Sequence, residues 1–223
     1  MLTDEERWEE FHKKNYNENE PHSSYAEEKE KLFPRGSLVV DIGGGTGADA
    51  LSFLQKGHSV VLIDISEFAL KIAREKAQKH GLSERLAVSQ IDLGLHAIPV
   101  KPNSVDVVYS RISLHYFGSK HTTKLFSEIY HILKPGGGAY LTFKSPDDLD
   151  EMEFLKNIGT EYEENVYIEN GQLRSRFTID QFKTMLTNAG IANFAVNPYR
   201  EEIIDNHGRK TYLLANEVTF KKV

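Results

Sequence analysis

The stretch Val39-Val40-Asp41-Ile42-Gly43-Gly44-Gly45-Thr46-Gly47 decides the fold. Residues 38–40 form an apolar run that reads as a buried strand, an acid stands at its end, and four glycines follow within five residues. Glycine carries no Cβ, so the backbone can turn through positive φ and come close to a ligand. Thr46 is placed to cap the helix that follows. A strand that delivers a ligand-binding turn into a helix is the opening unit of an α/β sheet.

Working outward, residues 48–56 continue as a helix that Gly57 can end, and residues 58–63 make a second β-rich run that finishes in Asp64. Ser66 caps a periodic helix with Phe68, Ala69, Ile72, Ala73 and Ala77 on one side, stopped near Gly81. A third strand, residues 86–91, leads into Asp92. A fourth, residues 105–109, follows a Pro102-Asn103-Ser104 turn. The next helix, about residues 120–133, stops at Pro135-Gly136-Gly137-Gly138, and residues 139–143 form the fifth strand. Strands alternating with helical segments predict a doubly wound α/β sheet with right-handed crossovers.

Beyond Lys144 the rhythm changes. Two β-rich runs, residues 166–168 and 173–177, flank Asn170-Gly171, the strongest short hairpin signal, and predict an inserted β-ribbon. Thr178 caps a helix that ends at Gly190. Two extended runs then follow, residues 191–199 and 211–220, joined through Asp205-Asn206-His207-Gly208 and expected to pair antiparallel at the sheet edge.

Ahead of the first strand, Trp8 and Phe11 sit at i, i+3 in an amphipathic segment, residues 4–14; a polar loop with Pro21 follows, then a helix capped by Ser23 or Ser24. This extension either covers one end of the sheet or acts as a lid carrying Trp8, Tyr16 and Tyr25 over the site. Residues 1–33 hold ten acids against five bases, most of the formal net charge of −6. That balance argues against a large phosphate-binding footprint, and so against nucleic acid as a partner. The absence of cysteine removes disulfides, thiolate metal sites and cysteine nucleophiles. No apolar run approaches the roughly 20 residues of a membrane span, and the acidic first ten residues offer no secretory signal; the expectation is a cytoplasmic protein with no membrane partner.

In an open parallel sheet, ligands bind beyond the carboxyl ends of the strands at the point where strand order reverses. Asp41, Asp64, Asp92 and Ser110 close the first four strands. Asp64 lies 21 residues after Gly43, a separation suited to ribose hydroxyls held over the glycine turn. Gly43, Gly45 and Ala48 formally satisfy a dinucleotide pattern, which would imply an oxidoreductase. Asp41 opposes a pyrophosphate there and suits a ligand with an ammonium group.

These segments together resemble the class I S-adenosylmethionine (SAM)-dependent methyltransferases. The resemblance covers residues 36–144 and extends more loosely to the C-terminus. Residues 39–47 resemble that family's first motif, Leu62-Ile63-Asp64-Ile65 its ribose-binding strand end, Gln90-Ile91-Asp92-Leu93 its adenine-binding segment, residues 105–110 its fourth-strand motif, and Leu133-Lys134-Pro135-Gly136-Gly137-Gly138 its turn into strand five. The resemblance implies a Rossmann-like, mostly parallel seven-stranded sheet with an antiparallel C-terminal strand. It divides the chain into an extension or lid, residues 1–35, and a SAM-binding domain, residues 36–223, with an insertion at about 145–177.

It also implies roles. Gly43, Gly45 and Gly47 would let backbone approach the methionine part of SAM, Asp41 would orient its amino group and Asp64 would accept from the ribose. Asp92 would meet the adenine amine, with Ile65 and Leu93 sandwiching the ring and Ser110 near the methionine carboxylate. Methylation of a small-molecule acceptor by in-line displacement is the expected activity; a non-catalytic SAM-binding module is the alternative within the same fold. His115, just past the fourth strand, is placed either to take a proton or orient substrate, or simply to pack. Tyr116, Phe117, Arg174 and Arg176 either line an acceptor pocket or serve packing and solubility. His121, His131 and His207 lack ligand-like spacing, so no metal is expected.

Overall fold

The computed structural model describes residues 2–204 and 209–223. At its centre β1 (Leu38–Ile42) lies between β2 (Ser59–Asp64) and β4 (Val105–Arg111), parallel to both. β3 (Leu86–Gln90) extends the sheet beyond β2, and β5 (Leu133–Lys144) extends it beyond β4. β10 (Lys210–Lys221) then runs antiparallel to β5, and β9 (Phe194–Ile204) antiparallel to β10. The order is therefore β3-β2-β1-β4-β5-β10-β9, with the reversal at β1. The expected sheet, its seven strands and its antiparallel end are all present. The Asp205-Asn206-His207-Gly208 connection lies outside the described residues.

Valine and isoleucine fill β1 and β2 because both faces of these strands are covered, which leaves no polar side to alternate with. On one face α5 (Ser119–Ile132) and α7 (Ile179–Asn188) bury Phe126, Phe143, Phe182 and Phe220. On the other, α2 (Ser24–Glu30), α3 (Ala48–Gln55) and α4 (Glu67–Lys79) bury Tyr25, Phe53, Leu70 and Tyr109. Each such side chain contributes about 1.5–3 kcal/mol of transfer free energy. Ser23, Ser66 and Thr178 cap α2, α4 and α7, each accepting a backbone N–H with its hydroxyl.

Three local expectations change. Thr46 does not cap α3: the cap position falls on Gly47, at φ 75°, and the Thr46 hydroxyl donates instead to Glu20 Oε2 at 3.2 Å. β5 begins at Leu133 and runs through Pro135 and the glycines, which pair with the C-terminal segment through Gly136 N–H to Lys222 O (2.8 Å) rather than ending a helix in a turn. The β-ribbon is larger than expected. Its hairpin, β7 (Val166–Glu169) and β8 (Gln172–Ser175), turns at Asn170-Gly171 with both residues at positive φ. β6 (Thr160–Glu163) adds a third strand, and α6 (Leu149–Ile158), capped by Asp148, precedes it.

α1 (Asp4–Asn15) opens on a reciprocal Thr3–Glu6 capping box and buries no residue. Trp8 meets Tyr116 edge-on at 5.0 Å while Phe11 is half exposed, so the helix rests on the carboxyl ends of the strands and not on a core. Of the aromatics proposed for a lid, Tyr25 is instead fully buried between Tyr109 and Tyr199. Among the described residues no helix is long and apolar enough to cross a membrane.

Candidate active site

The turn after β1 is built by two cross-strand anchors. Gly43 N–H donates to Ile63 O at 2.7 Å, and Gly45 N–H donates to Asp64 Oδ2 at 2.8 Å. Both glycines have positive φ, 67° and 53°, and a side chain on either would have to displace a neighbour. A Cβ on Gly43 would stand 2.3 Å from Ser113 Cβ, and one on Gly45 would stand 2.9 Å from His12 Cε1. The bare backbone is what lets Ser113 and His12 approach.

Asp41 is almost fully buried behind this turn, and its Oδ2 has no hydrogen-bond partner. Burial raises its carboxyl well above the usual range, and the nearby charges of Asp49 and Asp64 push the same way. Asp49 is itself well partnered, taking Ser23 N–H (2.6 Å), Ser23 Oγ (2.9 Å) and Tyr109 OH (2.7 Å). Asp64 takes Ser66 N–H on Oδ1 at 2.9 Å, with His12 Nε2 4.0 Å from the same oxygen. Asp92 spends Oδ1 on Gly94 N–H at 2.7 Å.

The remaining sequence-derived residues fall at differing depths. Ile65 is half-buried beside Gln90, which donates to its carbonyl, whereas Leu93 is packed into the apolar layer with Ile42 and Ile63. Ser110 is fully buried and donates to Ile42 O at 2.9 Å; its hydroxyl also meets Ser113 Oγ at 2.6 Å. Ser113, absent from the sequence expectations, is the half-buried hydroxyl that reaches the turn. His115 lies 1% exposed with both ring nitrogens unpartnered.

α1 supplies the groups that sequence patterns missed. Glu9 Oε2 accepts from Ser66 Oγ (2.6 Å) and Phe68 N–H (3.0 Å) at the N-terminus of α4. Its burial favours protonation, but those two bonds and Lys13 outweigh this and hold the carboxyl low. Gln90 donates to Glu5 Oε1, Gln172 donates to Asp4 Oδ1 and Arg7 donates to Asn170 O, so α1 bridges the ends of β2 and β3 to the hairpin. Such contacts are long-range in sequence, and an acidic helix reads locally as a solvated one.

The orphaned Asp41 oxygen, the bare cradle of Gly43 and Gly45, and the Asp64 carboxylate suit a nucleoside with a cationic arm and not a pyrophosphate. A methyltransferase-domain model matches residues 39–137. Residues 39–137 carry a methyltransferase domain. A protein from Pyrobaculum aerophilum named "probable cobalt-precorrin-6B C(15)-methyltransferase (decarboxylating)" is 29% identical over 153 residues, 65% of this chain and 73% of that one. A ubiquinone/menaquinone biosynthesis C-methyltransferase from Pseudoalteromonas translucida is 28% identical over 172 residues, 70% of this chain and 66% of that one. Against further C-methyltransferases of that name, the chain spans only 41–49% of their length.

The methyltransferase fold is shared with a SAM-dependent methyltransferase from Methanosarcina mazei at TM-score 0.69 and 21% identity, covering 86% of this chain and 95% of that one. It is shared also with a Burkholderia thailandensis 1,6-didemethyltoxoflavin N1-methyltransferase, solved with 1,6-didemethyltoxoflavin and S-adenosylhomocysteine. There the TM-score is 0.63 at 18% identity, over 90% of this chain and 79% of that one. These likenesses support SAM as the cofactor and a methyltransferase over the oxidoreductase alternative.

Proposed function

We propose that this methyltransferase acts on a small-molecule acceptor held between α1, the loop after β4 and the β7–β8 hairpin. The observation that carries the SAM-site assignment is the buried, unpartnered Oδ2 of Asp41 beside the glycine turn. A buried acceptor without a donor costs about 1–3 kcal/mol. An ammonium group satisfies it, and a phosphate does not. The bound cofactor supplies an electrophilic methyl group on a sulfonium sulfur.

The chain's own residues bind and orient. Gly43, Gly45 and Gly47 admit the methionine portion along the backbone, and Asp41 accepts from its amino group. Asp64 retains lone pairs for ribose hydroxyls beyond those used on Gly45 and Ser66. Asp92 and Ile65 frame the adenine, with Leu93 as the floor beneath it. Ser110 and Ser113, whose hydroxyls both donate to Ile42 O, lie beside the methionine carboxylate. His115 holds or receives a proton on a ring nitrogen next to the acceptor. Residues 1–35 serve as the cover of the domain formed by residues 36–223. The acidic composition supports an acceptor other than nucleic acid.

A thermal-shift comparison tests the proposal. At about 100 times its dissociation constant, SAM should add roughly 2.7 kcal/mol of stability, read as a rise of about 5–10 °C in Tm. S-adenosylhomocysteine should form when an acceptor panel is supplied. A rise with nicotinamide dinucleotides and none with SAM would overturn it; retained SAM binding without turnover on any acceptor would favour a non-catalytic module.

A further inference from the structure

His115 is the most conspicuous unexplained group in the molecule. Nine in ten or more buried polar groups in folded proteins are hydrogen-bonded, yet both nitrogens of this imidazole lack a partner at 1% exposure. The loop that carries it is strained. Ile112, a β-branched residue, sits at φ 52°, held by its N–H on Thr142 O (3.1 Å) and Thr142 Oγ1 (3.2 Å). From that kink the chain places Ser113 against Gly43 and His115 two residues further on, so the orphaned ring belongs to the same loop as the contact to the cofactor turn.

Its surroundings are cationic and aromatic. Arg176, itself buried, donates to both oxygens of Glu151 (3.1 and 2.8 Å), and Lys144 donates to Glu151 as well. Arg174 donates to Glu169 Oε2 (3.0 and 2.9 Å) and lies 5.0 Å over the ring of Tyr116. Tyr116 packs on His115 at 4.2 Å, and Trp8 of α1 closes over Tyr116. Three cations thus face two carboxylates. Burial first, then Arg176, Lys144 and Arg174, hold the imidazole neutral.

A neutral imidazole offers an N–H on one nitrogen and a lone pair on the other, so a hydroxyl, which can donate or accept, pairs with whichever nitrogen faces it. The excess of cations repels an ammonium group and favours developing negative charge, and the flanking rings favour a flat molecule. We propose that His115, Tyr116 and Arg174 form an acceptor subsite for a planar molecule bearing a weakly acidic phenol-type hydroxyl, and that amines protonated at neutral pH are excluded from it. In this subsite the lone pair of His115 accepts from the neutral hydroxyl. When the hydroxyl proton passes onto that ring nitrogen and the opposite nitrogen releases its own proton to solvent, the ring stays neutral and the new N–H donates to the phenolate oxygen, whose charge Arg174 and Lys144 offset. Because none of α1 is buried, the approach is by displacement of Trp8. The inference rests on the methyltransferase reading above.

The test uses the full chain saturated with S-adenosylhomocysteine, with 4-nitrophenol, whose colour reports its ionisation, and benzylamine as probes. 4-Nitrophenol should bind at least about tenfold tighter than benzylamine, with its ionisation midpoint lowered by about one pH unit. His115→Phe keeps a ring while removing two unpaired polar atoms; it should abolish the tenfold preference and leave S-adenosylhomocysteine binding intact. Arg174→Gln, a separate change on β8, should return the midpoint toward its free value. If S-adenosylhomocysteine binds but benzylamine equals 4-nitrophenol, or neither substitution alters the preference or midpoint, the subsite is refuted and the methyltransferase reading stands. If folded protein binds no S-adenosylhomocysteine, both fall.

Discussion

The imidazole of His12 stands over the strand-end acid Asp64, with Nε2 4.0 Å from Oδ1. The same ring lies against Gly45, so α1 crosses the path a nucleoside must take to the glycine turn. Glu9 reinforces the position through Ser66 and Phe68, yet no residue of the helix is buried. A cover held by polar contacts at its rim can shift without breaking a core. Trp8 is the sole tryptophan and sits on this helix, so its fluorescence reports the movement directly. Titration with S-adenosylhomocysteine should change the emission, and Glu9→Gln, which weakens a charge-assisted anchor, should tighten apparent cofactor affinity by about 3- to 10-fold. Saturable binding with unchanged emission would mean that α1 stays in place.

Gly43 is intolerant of any side chain for two separate reasons. Its φ of 67° disfavours an L-residue by about 1–2 kcal/mol, and the added Cβ would collide with Ser113 at 2.3 Å. Gly43→Ala should therefore lower the melting temperature and abolish cofactor binding, as measured by calorimetry on the folded fraction. The double change Gly43→Ala with Ser113→Gly should recover part of the stability, since it removes the collision and leaves only the backbone strain.

Asp41 trades stability for binding. Its folded carboxyl titrates above the unfolded value near 3.9, so between those two points the folded chain keeps a proton that the unfolded chain has released. The favourable contribution is complete below about pH 4 and is lost as pH rises through the folded value. Asp41→Asn, which cannot ionise, should raise stability at pH 7.5 by roughly 1 kcal/mol, or about 2–4 °C in Tm, with the gain disappearing below about pH 4. Cofactor affinity should fall in the same variant. A uniform effect across pH would show that the carboxyl does not titrate as its burial dictates.

The sheet was legible because its signals are local. The apolar runs of β1 and β2, the Ser66 cap and the Asn170-Gly171 turn each carry their own physics within a few residues. The placement of Asp41, Asp64 and Asp92 at or near the carboxyl ends of β1, β2 and β3 was legible for a related reason: each apolar run announces where its strand stops. α6 and β6 escaped because a four-strand-residue segment such as Thr160–Glu163 has no clear alternation until β7 pairs with it. The glycine run 136–138 read as a turn, whereas its pairing with Lys222 depends on a segment more than eighty residues away. Ser113, His12 and Glu9 reach the site by the same kind of long-range contact. No spacing within their own segments distinguishes them from surface residues.

The family's cofactor is tested most directly by calorimetric titration of SAM into the wild-type chain beside Asp64→Ala. One site of micromolar affinity is expected for the wild type, weakened at least about tenfold, or about 1.4 kcal/mol, in the variant. A folded wild-type chain that takes up no SAM would contradict the assignment of this site.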